Sequence, residues 1–254
     1  FHSGYDMSFV KVENVYLDYP LVGVSNHSLK NRILGAATGG LISSGGSVPI
    51  ANALRDINFS LKEGDRLGLV GHNGAGKSTL LKTLAGVYEP TSGSVLTQGK
   101  IVSTLNLSLG MESEATGFEN IIIRGLMLGM KRSEIDKKMD DIAEFTELGE
   151  YLNMPVRIYS SGMATRLAFA TVTVMDSDIL LMDEVIVTGD VAFIEKAERR
   201  LNEFVNRSKI VVLASHSESV IRQFCNTALL LERGELIAFG STDEIFDLYQ
   251  KRSA

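Results

Sequence analysis

Eight consecutive residues, Gly71-His72-Asn73-Gly74-Ala75-Gly76-Lys77-Ser78, satisfy the pattern G-x-x-x-x-G-K-[ST]. Each residue type there has a chemical reason. Glycines let backbone N–H groups turn inward around phosphate oxygens, and a helix start behind such a loop favours negative charge. Lys77 would bring a mobile cation to the β- and γ-phosphates, and Ser78 a hydroxyl to Mg²⁺. Gly71, Asn73, Gly74, Gly76, Lys77, Ser78 and Thr79 are therefore the candidates for holding a nucleoside triphosphate. Further along, the apolar run Ile179-Leu180-Leu181-Met182 ends in two acids, Asp183 and Glu184. Asp183 would hold Mg²⁺ through water, and Glu184 would orient and polarise an attacking water as general base. A third apolar run, Lys209 to Ser215, ends at His216, which could hydrogen-bond a γ-phosphate. Taken alone, the acid pair could be two solvated carboxylates and His216 an ordinary surface residue. Their joint occurrence with the phosphate loop favours the functional reading.

Such groups converge only if the elements beneath them are arranged to bring them together. Arg66–Val70 reads as a buried strand entering the loop, and Leu80–Gly86 as a helix that ends on a glycine cap. Strands over 179–182 and 210–214 alternate with helices from Met163 and over 193–205, which predicts an α/β fold with a largely parallel, wound sheet. Acids and histidines at the carboxyl ends of such strands face the crevice where ligands bind. Phe9–Tyr19 reads as an exposed strand, and residues 53–62 alternate before a turn at Glu63-Gly64-Asp65. Between them, residues 20–52 hold a basic segment with Lys30 and Arg32 and a Gly/Ser-rich piece, the composition of a loop. Residues 119–154 read as helical. Ser133 to Asp136 has capping-box spacing, and Ile135, Met139, Ile142, Ala143 and Leu148 form a packing stripe.

Composition removes several function classes. The 254 residues are 44% apolar and 22% charged, an ordinary globular balance. A single cysteine, Cys225, excludes an intrachain disulfide and fits a reducing compartment. No stretch approaches the roughly 20 apolar residues of a bilayer span, and the first six residues lack the features of a secretory leader; Met7 serves equally well as a natural start. A net charge of −6 argues against coating nucleic acid. His2, His27 and His72 form no metal-ligand cluster and read as structural or exposed.

Three further stretches carry a family resemblance. Tyr159-Ser160-Ser161-Gly162-Met163 stands where ABC-transporter ATPases carry their LSGGQ signature. Its surroundings, PVRIYSSGMATRLAFA, together with MDEVIVTGDVAFIEK and LGMESEATGFENI, resemble the branch of that family that exports O-antigen, capsule or teichoic acid chains. The resemblance runs from about Val10 to Tyr249 and implies an ABC-type P-loop ATPase, with a mostly parallel core sheet, an antiparallel β subdomain and a helical subdomain near residues 112–172. One nucleotide-binding domain over residues 7–254 is expected, with no appended C-terminal glycan-binding domain.

The resemblance also implies roles. ATP would lie between the phosphate loop of one copy and Ser160, Ser161 and Gly162 of a second, closed head to tail. Tyr19 would stack on adenine, and Asp190 would be the D-loop acid reaching across the dimer. The family's Q-loop corresponds to Asn106–Ser108, where the usual glutamine is missing; Asn106 is the candidate to do part of its work at Mg²⁺. Two polytopic permease subunits would dock on the helical subdomain, seating the protein at the cytoplasmic face of the bacterial cytoplasmic membrane and coupling it to a lipid-linked polysaccharide, with no nucleic acid involved. The 20–52 insertion lies either near that membrane or permease or on a plain surface loop. The alternatives are a soluble ABC ATPase acting on ribosomes or nucleic acid, an importer subunit, or a nucleotide-binding regulator without hydrolysis.

Overall fold

Alternation of buried valines along the first strand slips by one residue at Asn14, and that slip sets the shape of the amino-terminal sheet. In the computed structural model, which describes residues 7–20, 42–43, 50–105, 110–183 and 191–253, β1 (Phe9–Pro20) buries Val10 and Val12 and then Val15 and Leu17. Asn14 sits at φ 47°, a left-handed bulge that re-phases the strand. Its antiparallel partner β3 (Ile50–Lys62) carries a matching irregularity at Asp56, also at φ 47°. The two bulges are tied by hydrogen bonds: Asn14 Nδ2 donates to Asp56 Oδ1 at 3.0 Å, and Asn14 N to Asn58 Oδ1 at 2.7 Å. β5 (Ser92–Gln98) pairs with the other edge of β1, and the short β2 (Ile42–Ser43) pairs with β3.

β3 and β2 both claim residues that composition assigns to the 20–52 loop, because Ile50, Ala51 and Asn52 extend the ladder to Pro20, Tyr19 and Asp18. The rest of that insertion lies outside the described residues. The turn at Glu63-Gly64 is present, with Gly64 at φ 93°.

The described residues fall into two compact units. The first takes in those up to Gly99, then 181–183 and those from 210 onward. Its centre is β4 (Arg66–Val70), flanked in parallel by β8 (Ile210–Ala214) and β9 (Thr227–Glu232). Strand order here is β5-β1-β3-β10-β9-β4-β8, with the carboxyl half of β7 (Ile179–Asp183) beyond β8; β10 (Glu235–Ser241) pairs antiparallel with β9 and parallel with β3. The parallel core expected from the sequence is thus joined to the antiparallel sheet through β10. Leu67, Leu69, Leu213 and Leu229 are buried, as strands covered on both faces require.

Helices complete this unit: α1 (Lys77–Leu84), α6 (Glu218–Phe224) and α7 (Thr242–Ser253). α6 crosses β4 so closely that a Cβ on Gly68 would stand 2.4 Å from Ile221 Cγ2. Cys225 caps α6 beneath the same strand; burial pushes its thiol up to about 12.

The second unit comprises residues 100–180 and the described part of 185–209. It contains the short β6 (Ile101–Ser103), α2 (Gly117–Met127), α3 (Arg132–Thr146), two 3₁₀ turns (Gly149–Asn153 and Val156–Ile158), α4 (Ser161–Thr173) and α5 (Val191–Arg207). Phe145 is its hub, with ring centroids 5.9 Å from Phe169 and 5.6 Å from Phe193. Arg200 lies over the Phe145 ring and clasps Asp141 with two hydrogen bonds of 2.9 and 2.5 Å. The stripe Ile135, Ile142 and Leu148 is buried as packing. α3 begins at Arg132 and is capped at Lys131, two residues ahead of the cap read at Ser133: Glu134 accepts from Lys131 N instead.

Candidate phosphate site and signature segment

β4 delivers the chain into the phosphate loop with Gly71 at φ 150°, and Gly74 and Gly76 follow at φ 80° and 111°. Only glycine adopts this succession without strain. The loop is clasped from both sides. Ala75 N donates to His72 O at 3.1 Å, and a Cβ on Gly71 would strike Leu231 O at 2.3 Å. Lys77 opens α1 and is buried, its Nζ donating to Gly71 O at 2.6 Å and His72 O at 3.1 Å. Its ammonium therefore lies in the concavity of the loop, where phosphate oxygens would compete for it. Ser78, the next residue, is exposed. His72 is exposed and bonds the Asn73 carbonyl through Nδ1 at 2.6 Å, a local contact consistent with no catalytic role.

The β9–β10 hairpin braces the loop from below. Gly234, at φ 80°, donates its N–H to Ala75 O at 2.9 Å and accepts from Arg55 N at 2.8 Å. A Cβ there would meet Ala53 O at 2.5 Å. Gly234 is not among the site residues that the sequence singles out. The signal was available: Arg233-Gly234 stands between Thr227–Glu232 and Glu235–Ser241, a hairpin turn between two apolar runs.

Tyr19 stands near the carboxyl end of β1 with its hydroxyl hydrogen-bonded to Thr79 of α1, and partial burial raises its pKa. The predicted platform residue and the phosphate-loop helix therefore touch. His216 follows β8 and is exposed; Asp183 ends β7, half-buried. Glu184, Asp190 and Asn106 lie outside the described residues, as do His2 and His27.

The signature segment belongs to the second unit. Ser160 caps α4, its Oγ accepting from Met163 N at 3.2 Å, and Ser161 and Gly162 form the first turn. A Cβ on Gly162 would meet only Ser160 Oγ, at 3.8 Å, so its backbone faces open space. The three residues present a hydroxyl and orphan N–H groups at a helix start, the arrangement that binds anions. Upstream, Thr116 and Glu119 form a true capping box on α2. The bonds that the Glu119 carboxylate accepts from the Thr116 backbone N–H and hydroxyl lower its pKa. Asn120, fully buried, accepts from Glu112 N at 2.7 Å and donates to the carbonyls of Glu112, Ala115 and Thr116.

The sequence profile of the ABC transporter family matches residues 54–187, more than half of the chain. This chain belongs to the ABC transporter family. It is 45% identical over 229 residues to the O-antigen export system ATP-binding protein RfbE of Yersinia enterocolitica, covering 90% of this chain and 96% of that one. It is 40% identical over 202 residues to the O-antigen export system ATP-binding protein RfbB of Klebsiella pneumoniae, covering 80% of this chain and 82% of that one. Among solved structures, the ATP-binding cassette MJ0796, dimeric and bound to ADP and Pi in a post-hydrolysis state, superposes with TM-score 0.66 at 22% identity, covering 92% of this chain and 98% of that one. That likeness speaks to the fold.

As a member of the ABC transporter family the chain is an ATP-binding ATPase. The loop from Gly71 to Ser78 lies within the matched residues, at the start of α1. Among the described residues, no helix is long and apolar enough to cross a membrane. Apolar side chains are exposed on the second unit at Leu126, Met127, Tyr151, Met154 and Ile158.

Proposed function

We propose that this chain is the ATP-hydrolysing subunit of a bacterial exporter that carries a lipid-linked, O-antigen-like polysaccharide across the cytoplasmic membrane. The observation that carries the reading is 45% identity to an O-antigen export ATP-binding protein over nearly the full length of both chains. The chemistry supports it: Lys77, Asp183, Glu184 and His216 are a complete set for hydrolysis, which disfavours a regulator that only binds nucleotide.

Two copies close head to tail on ATP. Gly71, Asn73, Gly74, Gly76, Lys77, Ser78 and Thr79 cradle the phosphates of one nucleotide, and Ser160, Ser161 and Gly162 of the other copy meet its γ-phosphate. Tyr19 supports adenine, Asp190 reaches across the dimer, Glu184 polarises the attacking water and His216 holds the γ-phosphate. Ser78 and Asp183 suit Mg²⁺: both are hard oxygen donors, one an exposed hydroxyl at the start of α1 and the other a half-buried carboxylate at a strand end. Together with Asn106, they would hold the ion, which neutralises phosphate charge. The chain functions as one nucleotide-binding domain over residues 7–254, seated at the cytoplasmic face through two permease subunits that dock on the helical unit, whose exposed Leu126, Met127 and Ile158 offer apolar purchase.

Replacing the chromosomal copy with a Lys77→Ala variant tests this. Surface polysaccharide should vanish while lipid-linked chains accumulate inside. Normal surface polysaccharide in that strain rejects the export reading.

A further inference from the structure

α1 ends in a Schellman turn: Gly86, at φ 72°, donates its N–H to Thr83 O at 3.1 Å, and Val87 N donates to Lys82 O at 2.9 Å. This turn reverses the chain and lays Tyr88 back toward β1. Two hydrogen bonds then staple the following segment to that strand, Thr91 N to Tyr16 O at 2.8 Å and Asp18 N to Thr91 Oγ1 at 2.9 Å. The result is a ring pair. Tyr88 meets Tyr19 edge to face, centroids 5.3 Å apart at 71°. Lys82 Nζ stands over the Tyr88 ring, 5.5 Å from its centroid.

We propose that Tyr88 is a positioning residue for base recognition: it fixes the Tyr19 ring at the angle that receives the purine, and Lys82 in turn fixes Tyr88. The inference rests on the reading of Tyr19 as the adenine platform. Its physical content is entropic. A tyrosine near the end of a strand would otherwise rotate between staggered wells, and the nucleotide would have to select one on binding. The edge-to-face contact, with the Tyr19 hydroxyl bonded to Thr79, removes that choice beforehand. Thr79 belongs to the phosphate-loop helix, so the base platform and the triphosphate cradle are set by one element, α1.

The test is calorimetric binding of ATP and of inorganic tripolyphosphate to the full chain. Tyr88→Leu, which keeps apolar bulk, should weaken ATP about fivefold and leave tripolyphosphate within about twofold. Tyr88→Phe, which keeps the ring, should restore most of the ATP affinity. Equal loss for both ligands in Tyr88→Leu would mean general damage to α1 and overturns the proposal, as does an unchanged ATP affinity. Tyr19→Ala separates the two layers. If it weakens ATP selectively while Tyr88→Leu does not, Tyr88 alone is misassigned; if Tyr19→Ala has no selective effect, the platform reading falls and the positioning role with it.

Discussion

Gly71 and His216 leave the sheet at the same level. Leu69 of β4 lies directly opposite Ala214 of β8 in parallel register, and each of the two functional residues stands two positions further along its own strand. Two segments separated by more than half the chain are thereby delivered to one edge by the register of four paired residues. Both strands are buried along nearly their whole length, so a slip in register would have to repack side chains on both faces.

If His216 meets the γ-phosphate as proposed, its loss should act on turnover more than on binding. His216→Ala should lower kcat about a hundredfold with ATP affinity changed by less than about threefold, read by phosphate release and equilibrium binding. A parallel loss of affinity would instead make His216 part of ground-state binding.

Gly234 bears on the phosphate loop through backbone alone. Gly234→Ala combines positive φ with a 2.5 Å approach to Ala53 O and should cost about 1–3 kcal/mol with a measurable fall in ATP affinity. Gly64→Ala is the control: φ is 93° there but no atom lies within 4 Å, so about 1 kcal/mol is lost and ATP affinity is kept. Urea midpoints and ATP titration of both variants make the comparison.

Asn120 is fully buried and uses both ends of its amide. Asn120→Ala leaves the Glu112 N–H and three carbonyls without this partner and should cost about 2–4 kcal/mol in urea unfolding. Asn120→Asp removes the donors and buries a charge, so it should do no better. A loss below about 0.5 kcal/mol in both would show that the loop repacks.

Arg200 holds the Asp141 carboxyl below its usual range through the paired hydrogen bonds. A carboxyl with a lower pKa folded than unfolded stabilises fully above the unfolded value of about 3.9 and loses that contribution as pH falls through the folded one. The stability gap between the parent and Asp141→Asn should therefore be present at neutral pH and close on acidification below about pH 4. A gap of constant size across that range would assign the effect to packing.

The legible part of this protein was the part where chemistry constrains residue type. The phosphate loop and the strand-end acid Asp183 sit on the elements their patterns imply, and the helix read from Met163 begins two residues earlier, at Ser161. Two kinds of information were not legible. The phase slip at Asn14 and the pairing of residues 50–52 depend on cross-strand partners, which composition does not encode. The start of α3 was missed because Glu134 closes onto a lysine backbone, while the side-chain box that follows the familiar Thr/Glu spacing sits on α2 instead. Gly234 was overlooked for a different reason: its role lies wholly in two backbone bonds to segments far away in sequence.

Cys225 is the chain's single thiol, sealed under β4 with its ionisation deferred to about 12. Alkylating probes act on thiolates, so at neutral pH the folded protein offers them nothing. A cysteine introduced at exposed Glu150 or Lys251 becomes the sole reporter position without first removing the native one, so a site-specific label can be placed on an otherwise unaltered chain.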